Sequence, residues 1–256
     1  VVFDFDETLT LSTFMLRPGQ VIYPNMRERA VRINFESPWV AGSRVEKLDA
    51  MFSVLAQGAD GHPRQLAVLT KNTRGALAVL ELLEAAGLAQ HFAAIWTMPQ
   101  HAKGRCTGAY ALHGQWVDFE VPFEDAGHKA SIICDVADRP GLWLPQLAAE
   151  GRPKSSGSWC REAVVLVDDQ ESNFQAASGH SVRRFCQVER YDAVYHNFGL
   201  VEGMGGIGAK DDGDYARLIR FVVTPWGFNE SHDARERSRA VLPSVRAAAK
   251  PVAEHL

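Results

Sequence analysis

Val1-Val2-Phe3-Asp4-Phe5-Asp6-Glu7-Thr8-Leu9-Thr10 opens the chain. Three apolar residues followed by two carboxylates two positions apart read as a short buried strand that ends in an acidic turn. In an open parallel sheet, ligands bind just beyond the carboxyl ends of the strands, so Asp4 and Asp6 stand where such a crevice would form. A carboxylate pair there suits a hard cation such as Mg²⁺, which takes oxygen ligands and keeps some waters. It suits equally a nucleophile paired with an acid-base, because proximity drives the two pKa values apart. Standing alone, the D-x-D-x-T spacing is also what an acidic turn capping a strand would show.

Outward from this stretch, apolar strands alternate with amphipathic helices. Residues 44–57 carry Val45, Leu48, Met51, Phe52 and Leu55 at helical spacing, with Ser43 placed to cap them. Residues 65–69 read as a strand, and residues 73–86 as a helix stopped by Gly87. Further strands are expected at 92–97, 163–167 and, more weakly, 181–186, with a helix at 129–136. The pattern predicts an α/β fold: a three-layer, doubly wound, Rossmann-like parallel sheet. Residues 10–42 show no clean period and read as a flap or minimal cap. Residues 97–128 and 138–161 read as surface insertions in a core domain of residues 1–227. The tail, 228–256, is broken by Pro243 and Pro251 and is expected to lie over the surface or a protein partner.

Composition narrows the function classes. At 256 residues and 46% hydrophobic, the chain can bury a full core. The net charge of -4 argues against a life on nucleic-acid phosphates. No apolar run approaches the roughly 20 residues of a membrane helix, so a soluble protein is expected. Cys106, Cys134, Cys160 and Cys186 are scattered, with no C-x-x-C pair, and suit a reducing compartment, cytoplasm or organelle interior. The sequence begins at Val1 inside an apolar run, so no address label can be read from it.

Other strand ends carry chemistry too. Val68-Leu69-Thr70-Lys71-Asn72 brings a hydroxyl to the same edge, and Val164-Val165-Leu166-Val167 runs into Asp168-Asp169, with Asn173 a turn later. Lys129 opens the helix leading toward that strand, with Lys103 as its rival. Gly203-Met204-Gly205-Gly206-Ile207-Gly208 reads as a flexible loop, since no clear strand precedes it and Lys210-Asp211-Asp212-Gly213-Asp214 follows. His101, His128 and His196 receive no role.

In this order the set resembles the haloacid dehalogenase-like (HAD) superfamily, specifically its aspartate-nucleophile phosphatases. The resemblance runs from Val1 to about Cys186, and D-x-D-x-T is its most specific part. It implies Mg²⁺-dependent hydrolysis of a phosphate monoester through an aspartyl-phosphate. Asp4 matches the nucleophile, and Asp6 the general acid-base whose backbone carbonyl also touches Mg²⁺. Thr8 shapes the turn, Thr70 holds a phosphoryl oxygen with Asn72 beside it, and Lys129 neutralises charge. Asp169 matches the metal-ligating acid, while Asp168 would orient the lysine or the metal shell. Asn173 stands where many relatives have Asp. The acid at position 6 disfavours dehalogenation. A minimal cap implies an open crevice suited to a large or partner-presented phosphoester. Two other readings remain: a structural or regulatory subunit of a larger assembly, and a polynucleotide-end phosphatase, whose basic groove this composition does not show.

Overall fold

The computed structural model of the chain describes residues 1–20, 23–58, 60–98, 104–123, 128–130, 132–133, 163–174, 182, 184–191, 194–196, 199–201, 204–224 and 239–241. In chain order these form β1 (Val2–Phe3), α1 (Pro24–Phe35), α2 (Arg44–Gln57), β2 (Leu66–Thr70), α3 (Ala76–Ala85), β3 (Phe92–Thr97), β4 (Gly104–Leu112) and β5 (Gln115–Phe123). There follow β6 (Val165–Asp168), β7 (Arg184–Gln187), β8 (Arg190–Tyr191), β9 (Val194–His196), β10 (Gly199–Val201), β11 (Met204–Gly205), α4 (Gly213–Val223) and β12 (Arg239–Val241). Lys129, Ala130, Ile132 and Ile133 lie in helical conformation between β5 and β6.

Eight strands make the main sheet, in the order β12-β7-β6-β1-β2-β3-β4-β5. The first six run parallel, and β4 and β5 add an antiparallel hairpin at one edge. The sheet is therefore mostly parallel, an α/β architecture of the Rossmann-like kind. The central strands β1, β2, β3 and β6 are apolar on both faces because both faces are covered. Phe3, Val68 and Val167 face a core shared with Leu48, Phe52, Val79, Leu83 and Leu218 of the helices. Val2, Leu69, Trp96 and Leu166 face a second core with Ala130, Ile132, Ile133 and Phe174. β1 lies between β2 and β6, so the chain turns to opposite sides of it, and the crevice opens at its carboxyl end.

The helix at 44–57 starts where expected, with the Ser43 side chain accepting from the Glu46 backbone N–H at 3.2 Å. Four stretches differ from the sequence reading. Residues 24–35 form α1, which buries only Ala30, Ile33, Asn34 and Phe35 and so shows little apolar period. Residues 104–123, read as part of a surface insertion, extend the main sheet instead. Their turn, His113-Gly114, has φ of 50° and 79°, the doubly positive geometry that matches strand twist. From Met204 on, the glycine-rich stretch read as a flexible loop is partly strand and is buried, with Met204, Ile207 and Ala209 closed off from solvent. Residues 213–223 form α4, with Tyr215, Leu218 and Val222 as its inner face. The insertion at 138–161, Lys103, His101 and all of the tail except Arg239–Val241 lie outside the described residues.

Cys186 is unpaired and buried in β7, and burial first, then Asp214, pushes its thiol up to about 12. No helix among the described residues is long and apolar enough to cross a membrane.

Candidate functional site

Asp4 is the residue after β1, and its backbone N–H donates to the Val167 carbonyl at 2.8 Å. That rung continues the β1–β6 ladder and sets Asp4 beside the end of β6, where Asp168 and Asp169 follow. One carboxylate oxygen from each of Asp4, Asp168 and Asp169 lies within 4.8 Å of the others, and all three residues are buried. Lys129, 1% exposed, reaches into this group from the opposite layer. Its Nζ lies 2.5 Å from Asp4 Oδ1 and 2.8 Å from Asp168 Oδ2. The Asn173 amide donates to both oxygens of Asp168, at 2.9 and 3.0 Å, and its own oxygen accepts from Lys71 Nζ at 2.7 Å. Asn173 thus links the end of β2 to the end of β6.

The Asp6 side chain belongs to a second group. Its carboxylate accepts from Thr70 Oγ1 at 3.2 Å and from the Asn72 amide at 2.8 and 3.0 Å. The Asn72 backbone N–H in turn donates to Thr70 Oγ1 at 3.0 Å. Thr8 Oγ1 sits 3.5 Å from Asp169 Oδ1, and the turn behind it closes on the Phe5 carbonyl, which accepts from the backbone N–H groups of Leu9 and Thr10. Glu7 takes a φ of 57°, a left-handed conformation that costs a non-glycine residue roughly 1–2 kcal/mol.

No family model, curated protein or solved structure matches this chain. Asp4, Asp168, Asp169, Lys129 and Thr8 form one contact group, and Asp6, Thr70 and Asn72 form its neighbour. A cleft of about 540 Å³ opens on Asp6 and Asn72, walled by Phe14 and Met15 of the 10–42 segment and by Lys71 and Arg74.

Electrostatics follow from crowding acids out of water. Burial raises Asp4 well above the usual carboxylate range, with Lys129 opposing and Asp168 and Asp169 reinforcing. Asp169 is raised by burial and by Asp168. Asp6 is raised by burial, against the hydrogen bonds from Asn72 and Thr70. Burial opposes the charge on Lys129, but Asp4 and Asp168 outweigh it and hold the ammonium above its ordinary range. Lys71 is lowered by burial and by the Lys129 charge.

Two parts of the site were not found in the sequence. Arg190 brings its guanidinium to Glu7 Oε2 at 2.5 Å and to Asp169 Oδ2 at 3.3 Å. The 204–209 segment braces the acidic turn from behind: the Gly205 N–H donates to the Leu11 carbonyl at 3.1 Å and the Ile207 N–H to the Thr8 carbonyl at 3.0 Å. The only signal for either was the cluster of glycines. A Cβ on Gly205 would lie 2.8 Å from the Glu7 carbonyl oxygen and 2.9 Å from that of Glu189, both backbone atoms that cannot swing aside. Gly205→Ala is expected to cost about 1–3 kcal/mol, the scale of overpacking. A urea midpoint unchanged from wild type would show that the ribbon moves away freely.

Proposed function

We propose that the chain is a Mg²⁺-dependent phosphatase of the HAD-like kind, hydrolysing a phosphate monoester through an aspartyl-phosphate on Asp4. The observation that carries this reading is Lys129 Nζ lying between Asp4 and Asp168 while Thr70 and Asn72 hold Asp6 alongside. A carboxylate nucleophile, a buried cation touching it and a carboxyl group of raised pKa next to it are the parts that phosphoryl transfer to an acid requires.

The residues suit a divalent cation. The site gathers five carboxyl groups (Asp4, Asp6, Glu7, Asp168 and Asp169) against three side-chain cations (Lys71, Lys129 and Arg190), so acids outnumber cations. Asp169 Oδ2 is buried and, beyond its ion pair with Arg190 Nε at 3.3 Å, has no hydrogen-bond partner among the described residues. Asp4, Asp168 and Asp169 would hold the ion through oxygen, the donor type Mg²⁺ takes. When bound, it supplies charge neutralisation for the approach of an anionic phosphoryl group to a carboxylate.

The chain's own residues do the rest. An Asp4 carboxylate oxygen bonds to phosphorus as the ester P–O bond breaks, and Asp6 gives its proton to the departing alkoxide oxygen. Burial keeps Asp6 protonated to higher pH than an exposed aspartate, which equips it as the acid. Asp6, now a carboxylate, takes a proton from a water that attacks phosphorus, and the Asp4–phosphorus linkage breaks to release inorganic phosphate. Lys129 stays charged throughout and offsets the negative charge beside Asp4. The Thr70 hydroxyl and the Asn72 amide orient Asp6, and Asn72 also lines the cleft that would receive the alcohol part of the substrate.

The test is phosphate release from a panel of small and protein-borne monoesters, with Mg²⁺ and with a chelator. Activity that appears with Mg²⁺ and disappears with chelation is the expected result. No release from any substrate with Mg²⁺ present would overturn the reading in favour of a non-catalytic subunit.

A further inference from the structure

Arg190 has no task in the chemistry above, yet its position is tightly specified. It opens β8, which pairs with β11 so that Arg190 stands opposite Gly205. That ribbon is tied to the site at three backbone points: Val188 N–H to the Asp168 carbonyl, Gly205 N–H to Leu11 and Ile207 N–H to Thr8. From this mount the side chain spans two carboxylates that come from different strand ends. Its terminal nitrogen pairs with Glu7 of the acidic turn, and its Nε with Asp169 beyond β6. Both partners are buried, while the Arg190 side chain is 45% exposed. Glu7 is the residue in left-handed conformation, so the turn that presents Asp4 and Asp6 is shaped at the point where Arg190 grips it.

We propose that Arg190 is a positioning residue, a clamp that locks the Glu7 turn to the Asp169 strand end and so fixes Asp169 for a divalent cation. The metal-binding part of this inference rests on the reading in the previous subsection. A guanidinium is suited to the task because its planar fork can direct two nitrogens at two separate carboxylates, whereas a lysine offers one point charge. Losing a partner that orients a ligating side chain typically weakens metal binding by about 10–100-fold.

Calorimetric titration of Mn²⁺ into the wild type, Arg190→Ala and Arg190→Lys tests this, with melting temperatures measured in parallel without metal. Arg190→Ala is expected to bind Mn²⁺ about 10–100-fold more weakly. Arg190→Lys should recover little of that loss, and low-millimolar guanidinium added to Arg190→Ala should recover part of it. A purely structural role would not respond to guanidinium. If Arg190→Ala does not fold, Arg190→Gln takes its place, since it keeps the reach without the charge. Wild-type affinity in the variant would overturn the clamp while leaving the metal reading in place. So would a loss that guanidinium fails to restore and that merely follows a fallen melting temperature. Absence of Mn²⁺ binding to the wild type would overturn the metal reading and the clamp with it.

Discussion

Asp4→Asn lowers Mg²⁺-dependent phosphate release by roughly 10⁴-fold or more, the scale of loss when a nucleophile is removed, while the metal-free protein melts no lower than the wild type. The two halves have one cause. Asp4 is buried against Asp168 and Asp169, and Lys129 supplies the only cation that touches it among the described residues. Its folded-state pKa lies above the unfolded value. Such a group favours folding when protonated, and that contribution is lost as pH rises from the unfolded pKa through the folded one. At pH above the unfolded aspartate value Asp4 therefore works against the fold, and a neutral amide of the same shape relieves that cost. Lys129 keeps Asp168 as its partner. Function held at the expense of stability is a common property of active sites. Parallel phosphate-release and thermal-melt measurements check both halves. A variant that retains activity would remove Asp4 from the chemistry, and a large fall in melting temperature would show that Asp4 serves mainly as an anchor for Lys129.

Lys129→Met has the largest expected effect on stability. The methionine fills the space, but Asp4 and Asp168 are left buried without their shared cation. Breaking a buried ion pair by removing one partner costs about 3–5 kcal/mol, which in a chain of this size is a fall of roughly 6–20 °C in melting temperature. The Lys129 pKa is raised on folding, so its contribution is fully present below the unfolded lysine value near 10.5 and is lost only as pH rises above it. The whole effect is therefore felt at neutral pH. It shrinks in acid, where Asp4 takes up a proton in the folded state and the repulsion disappears. Millimolar Mg²⁺ should raise the melting temperature of this variant more than that of the wild type, because the ion replaces missing positive charge. Thermal melts at pH 5 and pH 8, with and without Mg²⁺, read all three effects. A variant as stable as the wild type at pH 8 would mean that the three carboxylates do not depend on Lys129.

Local pattern reached a good part of this site. The run Val1-Val2-Phe3 before Asp4-Phe5-Asp6 marks a buried strand and its acidic end because apolar strands of a covered parallel sheet have no polar face to hide. Thr70, Asn72, Asp168 and Asp169 were legible for the same reason, as polar residues directly after apolar runs. Lys129 was legible only as a charge at the start of a helix, and the rival Lys103 could not be eliminated from spacing. In the folded chain Lys129 is buried between Asp4 and Asp168, and Lys103 lies outside the described residues. Helix α1 was invisible because its inward face is only four residues of mixed character, and the strands at 104–123 because their turn hinges on a histidine in a left-handed conformation.

By itself, then, the sequence determined the alternation of strands and helices, the parallel sheet and which strand ends carry carboxylates, because burial and periodicity are properties of neighbouring residues. Only the tertiary structure decided how those carboxylates divide: Asp4 with Asp168, Asp169 and Lys129, and Asp6 with Thr70 and Asn72. It also decided that Asn173 bridges Lys71 to Asp168, and that Arg190 and the 204–209 segment hold the acidic turn from behind. The physical reason is range. An ion pair between Glu7 and Arg190 depends on a ribbon docked by backbone hydrogen bonds to residues more than a hundred positions away, and no local pattern of charge or hydrophobicity records which distant cation will arrive.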